Sequence, residues 1–117
     1  MISPLLWLLL AALGLTAPPS HLTEWTGTSP VFLTAPSNPR DDRPLAISVA
    51  HLPPRARNVA VAVDGKPMPA RPFAHGLYRT IVARPDAGVI SLAVRFTLNG
   101  HRYQSVGPGV LVAAHGG

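Results

Sequence analysis

Val89-Ile90-Ser91-Leu92-Ala93-Val94-Arg95-Phe96-Thr97-Leu98-Asn99-Gly100-His101-Arg102-Tyr103 is the stretch that decides how this chain folds. Ile90, Leu92, Val94, Phe96 and Leu98 occupy alternate positions, with Ser91, Ala93, Arg95, Thr97 and Asn99 between them. A period of two places every second side chain on one face of a pleated strand, so the pattern predicts a half-buried β-strand. Asn99-Gly100 follows at once. A type I′ turn needs positive φ at both central residues, which Asn tolerates and Gly adopts freely, so a two-residue hairpin is expected. Its register sets Leu98 opposite His101 and Phe96 opposite Tyr103.

The same signals recur upstream. Val59, Val61 and Val63 alternate with Ala60 and Ala62 up to Asp64-Gly65, a second hairpin that places Val63 opposite Lys66 and Val61 opposite Met68. Leu45, Ile47 and Val49 alternate with Ala46, Ser48 and Ala50, and Leu77 to Val82 forms a further strand closed by a turn at Pro85-Asp86-Ala87-Gly88. Val31-Phe32-Leu33, bracketed by Pro30 and Pro36, reads as an edge strand, and Pro67, Pro69 and Pro72 make the strand returning from Asp64-Gly65 an edge one as well. Val110-Leu111-Val112 ends the last strand with apolar residues on both faces, as an open sheet edge or a strand buried on two sides. The expectation is an all-β antiparallel sandwich of about seven strands.

Composition agrees. With 14 Pro and 10 Gly but only 13% charged residues in 117, a long helix or coiled coil is excluded, while 47% apolar content is enough to form a core. No Cys is present, which excludes a disulfide scaffold and a thiolate centre. Residues 2–17 carry no charge, and Leu5 to Leu15 is almost purely apolar. That run is shorter than the roughly 20 residues of a spanning helix and is stopped by Pro18-Pro19, so 1–17 reads as a signal peptide or short membrane anchor, 18–29 as an extended lead-in and 30–114 as the folded domain. The mature chain is then expected in the periplasm or outside the cell, where nucleic acid is not a natural partner despite the net charge of +5.

Asp86-Ala87-Gly88-Val89-Ile90-Ser91-Leu92 resembles the corner motif Asp-x-Gly-x-Tyr-x-Cys of immunoglobulin-like domains, with Ile90 and Leu92 replacing the tyrosine and cysteine. The resemblance is to the broad bacterial immunoglobulin-like class and covers roughly residues 30 to 112. In that family's lettering, 45–50 is strand B, 58–63 C, 66–71 D or C′, 77–83 E, 89–98 F and 101–112 G. The hydrophobic leader and Gly76-Leu77-Tyr78 also resemble small periplasmic modules of the FixH and YtkA type, which implies metal handling or oxidase assembly.

The chemistry-bearing residues point away from catalysis. Glu24, Asp41, Asp42, Asp64 and Asp86 all fall in turns or the lead-in, and no nucleophile and base come together by spacing, so the chain is expected not to be an enzyme. On the outer face of strands G, F and C the register gathers Arg95, Arg102 and Gln104 over small residues, with Ala60 and Ala62 as a floor that a partner surface approaches closely. An acidic or membrane-associated protein suits that charge. The alternative lies at one pole, where the B–C, D–E and F–G connections bring His51, His75 and His101; three imidazoles there would suit Cu or Zn.

Overall fold

The computed structural model describes residues 21–74 and 76–115, so the leader at 1–17 and His75 lie outside the described residues. The strands are β1 (Thr23–Glu24), β2 (Val31–Ala35), β3 (Leu45–Ala50), β4 (Arg57–Val63), β5 (Lys66–Pro69), β6 (Arg71–Pro72), β7 (Leu77–Val82), β8 (Gly88–Leu98) and β9 (His101–Val112). They form a five-stranded sheet in the order β1-β9-β8-β4-β5 and a four-stranded sheet in the order β2-β3-β7-β6. Among the described residues there is no helix, and every strand pairing is antiparallel except that of β1 with β9.

The alternating residues of both sheets meet in one core. Leu45, Ile47 and Val49 from the four-stranded sheet pack with Val59, Val61, Ile90, Leu92, Val94, Phe96 and Val112 from the five-stranded one. Fully burying an aliphatic or aromatic side chain of this size stabilises by about 1.5–3 kcal/mol, which makes this cluster the main support of the fold. Both hairpins form in the expected register, Val63 with Lys66 and Leu98 with His101. Asp64 and Gly65 have φ of 50° and 82°, and Asn99 and Gly100 have 52° and 82°, as a type I′ turn requires.

Three features depart from the sequence expectation. The strand expected across 66–71 divides at Ala70: β5 stays on β4, whereas β6 joins β7 in the other sheet. Pro67, Pro69 and Pro72 have no N–H to donate, so neither ladder extends far; the Ala70 amide donates instead to the Val59 carbonyl at 2.9 Å. Part of the lead-in belongs to the sheet, with Thr23 beside Tyr103 and Glu24 beside Gln104. Trp25 anchors it, packing edge-on against Phe96 and Tyr103 at 5.2 Å each while its indole N–H donates to the Thr28 carbonyl at 2.9 Å. Aromatic burial thus orders a segment with no strand periodicity of its own.

The third departure concerns the end of β9. Ser91 pairs with Gly109 but Ala93 with Val106, so Gly107-Pro108 carries one extra residue opposite Leu92. A bulge of one residue reverses the inward and outward alternation beyond it. Val112 is therefore buried at 1% while Leu111 is 69% exposed, so of the two expectations for this strand end, an open edge or burial on two sides, the second is corrected to burial on one. Gly107 is needed for space, since a Cβ there would stand 2.6 Å from Cε1 of Phe32 on β2.

Candidate binding face

The outer face of the five-stranded sheet is a ladder of rows. Asn58, with φ of 52°, lies within a bulge of β4 that sets Arg57 opposite Thr97, and Thr97 in turn pairs with Arg102. The next row is Ala60, Arg95 and Gln104, followed by Ala62, Ala93 and Val106. Ser91 and Gly109 come next, and Val89 with Leu111 closes the face at the pole opposite the Asn99-Gly100 turn.

The structure brings Arg95, Arg102, Gln104, Ala60 and Ala62 onto one face in the order read from the sequence, but alters what two of them offer. Arg95 is partly buried, and its Nε–H donates to Gln104 Oε1 at 2.8 Å. That hydrogen bond holds Arg95 flat along the sheet. Ala62 stands between Pro67 and Ala93 and is 2% exposed, so the expected floor narrows to the half-buried Ala60. Glu24, beside Gln104 on β1, adds a carboxylate to the cationic end of the face. At the lower edge Asp64 Oδ1 accepts from the Ser91 amide at 2.8 Å and from the Ser91 hydroxyl at 3.2 Å, tying the Asp64-Gly65 turn to β8.

Sequence reasoning missed the apolar half of this face. Val106, Leu111 and Val89 are 66%, 69% and 73% exposed, three aliphatic side chains on the regular outer surface of a sheet. The signal was Gly107-Pro108-Gly109, whose bulge-forming composition fixes the phase of Leu111, but the phase follows only once the partner register is known.

At the other pole the connection after β3 and the Asn99-Gly100 turn lie together. A groove there is lined by Pro54, Arg55, Ala56, Arg57, Thr97, Asn99 and Gly100. His51 borders a neighbouring cleft with Trp25 and Leu52, and the His101 ring lies 6.5 Å from that of Tyr103. His75 is outside the described residues, and among the described residues no group of three or more His, Asp or Glu converges to hold a metal ion. Arg55 and Arg57 stand at this pole, and their positive charge opposes a divalent cation.

The adjacent carboxylates Asp41 and Asp42 have separate partners. Asp41 Oδ1 accepts from the His115 amide at 2.7 Å and lies 2.8 Å from His115 Nδ1, and this hydrogen bonding holds the Asp41 carboxyl below its ordinary range. Asp42 is bonded by Arg40 Nε at 3.2 Å, which lowers its carboxyl likewise. Each acid therefore carries its own cationic or hydrogen-bonding neighbour, in a solvated turn.

Fold and face together define an all-β chain of two sheets around one core, with a half-apolar, half-cationic outer surface. Comparison with family models, with curated proteins and with solved structures gave no match.

Proposed function

We propose that this chain is an immunoglobulin-like β-sandwich working outside the cytoplasm as a non-enzymatic binding or assembly module, and that its partner is a protein docking on the outer face of the five-stranded sheet. The single observation that carries the reading is the cross-strand pair Val89–Leu111, with Val106 two rows further along, largely exposed on the outer face of the sheet. Exposed aliphatics gathered on one face of a domain favour association, because covering them releases about 25 cal/mol per Å². Arg95, Gln104 and Arg102 form the polar border of the same face, so the matching surface is apolar with acidic groups at one side. The sheet order also agrees with an immunoglobulin-like arrangement, β2, β3, β7 and β6 corresponding to strands A, B, E and D, and β9, β8, β4 and β5 to G, F, C and C′.

Metal handling through His51, His75 and His101 has less behind it, given the arginines at that pole. Equilibrium dialysis with Cu and Zn, repeated on the triple His→Ala chain, distinguishes the two readings.

The test is photo-crosslinking in the native cell envelope from a reactive residue at Val106, with Leu33 on the opposite sheet as control. A single defined adduct from Val106, absent from Leu33 and lost in V89D/L111D, supports the reading. An adduct that persists in V89D/L111D, or equal adducts from both positions, overturns it.

A further inference from the structure

The outer face of the other sheet carries a second site. Arg71 on β6 stands directly opposite Arg79 on β7, and Phe73, two residues after Arg71, lies over the Arg79 guanidinium with its ring centroid 3.4 Å from Cζ. Pro69, Arg71, Pro72, Phe73, Arg79, Thr80 and Ile81 line a groove of about 470 Å³ between the two. Phe73 and Ile81 are each more than half exposed, so the groove has an open apolar wall on either side of the guanidinium groups.

This arrangement is electrostatically unfinished. Like charges directly opposite each other on neighbouring strands are destabilising unless something bridges them. The ion pairs of Asp41 and Asp42 lie in the turn before β3, and among the described residues neither Arg71 nor Arg79 is paired with a carboxylate. Arg79 Nε is sealed from solvent and has no hydrogen-bond partner. An orphaned buried donor keeps the cost of its lost hydration, which a partly exposed cation–π contact does not return. Two arginines at directly opposed positions supply forked donors of the kind that match a carboxylate, and Pro69, Pro72, Phe73 and Ile81 offer a surface for a hydrocarbon body beside them.

We propose that this groove binds a small amphipathic carboxylate, its head group bridging Arg71 and Arg79 and its apolar tail lying against Phe73 and Ile81. The volume falls in the range of small-ligand sites, and the arginines and the apolar side chains line one groove. The site is on the opposite sheet from the protein-docking face and does not depend on it.

Octanoate serves as the probe, followed by the backbone amide resonances of Arg71, Phe73, Arg79 and Ile81 in the full chain. A saturable shift confined to these amides is expected, weakened about tenfold or more by R71M or by R79M, each of which keeps an aliphatic side chain and removes the charge. Octan-1-ol tests the tail without the charge, and inorganic phosphate the charge without the tail; neither is expected to reproduce the octanoate shifts at equal concentration. Thermal midpoints of both variants within a few degrees of the native chain confirm that the fold is intact. Absence of a saturable shift, equal binding of octan-1-ol or phosphate, or unchanged octanoate affinity in R71M and R79M overturns the proposal.

Discussion

Val89 on β8 faces Leu111 on β9 across the ladder, and both side chains point away from the core, 73% and 69% exposed. Their chain neighbours Ile90 and Val112 point the other way and are buried at 2% and 1%. Two apolar residues in succession on each strand therefore divide between core and surface, and substitutions one position apart are expected to have opposite consequences. V89T/L111T should stay within about 0.5 kcal/mol of the native chain, whereas I90A should cost about 2–5 kcal/mol. Urea unfolding of the two variants checks the contrast. Comparable losses in both would place Val89 in a packed environment.

Gly107 and Phe32 test the bulge. A Cβ at position 107 meets the Phe32 ring, so G107A is expected to destabilise by about 1–3 kcal/mol through overpacking. F32L in the same chain should recover part of that loss, which shows in a double-mutant cycle as a favourable coupling. Additive losses would mean that the ring is not what Gly107 accommodates.

The Arg95–Gln104 hydrogen bond is partly buried and charge-assisted, and it spans the β8–β9 pair. R95A and Q104A are each expected to lower stability by about 1 kcal/mol, with a coupling of about 0.5–1.5 kcal/mol between them. Thermal or urea midpoints of the native chain, both single variants and the double variant give the value.

Asp64 has two roles, the left-handed turn and the contact with Ser91. D64N keeps a residue that tolerates positive φ and an acceptor oxygen, while D64A loses both. D64A should therefore destabilise by about 1–2 kcal/mol and D64N by less than half of that, as read from unfolding midpoints.

The Asp41–His115 contact sets a pH dependence at the C-terminal end. Hydrogen bonding from His115 lowers the Asp41 carboxyl below its ordinary value of 3.8, so the tie is present at and above that pH and is lost as acid protonates the folded-state carboxylate. Hydrogen exchange of the His115 amide should show protection at neutral pH that disappears in acid below 3.8, with D41A, which has no acceptor oxygen, unprotected throughout. Both groups are solvated, so the loss is local and the global midpoint should follow it only weakly.

The expected face and the observed one differ for reasons visible in particular residues. Arg95, Arg102 and Gln104 follow from counting along the two strands whose hairpin register Asn99-Gly100 announces, and the count holds because a two-residue turn leaves no slack, whereas Ala60 joins them only through the pairing of β4 with β8. Ala62 was placed with them but not its burial, which depends on Pro67 and Ala93 on either side. The Arg71–Arg79–Phe73 groove is invisible in the sequence because the chain changes sheets at Ala70, and the two short segments rich in Pro on either side of it carry no period to reveal it.

What the amino-acid order determined alone was everything that local stereochemistry dictates: alternating strands at 45–50, 59–63 and 90–98, and tight reversals where Asp-Gly and Asn-Gly accept positive φ. What tertiary structure decided were the matters of partnership. Trp25 docks on Phe96 and Tyr103, and so draws the lead-in beside β9. The strand after Lys66 divides between sheets, and the extra residue at Gly107-Pro108 turns Leu111 to solvent and Val112 inward. Turn conformations are intrinsic to two residues, but the face to which a side chain points beyond a bulge depends on a strand more than ten residues away in the chain, and only the paired sheet supplies it.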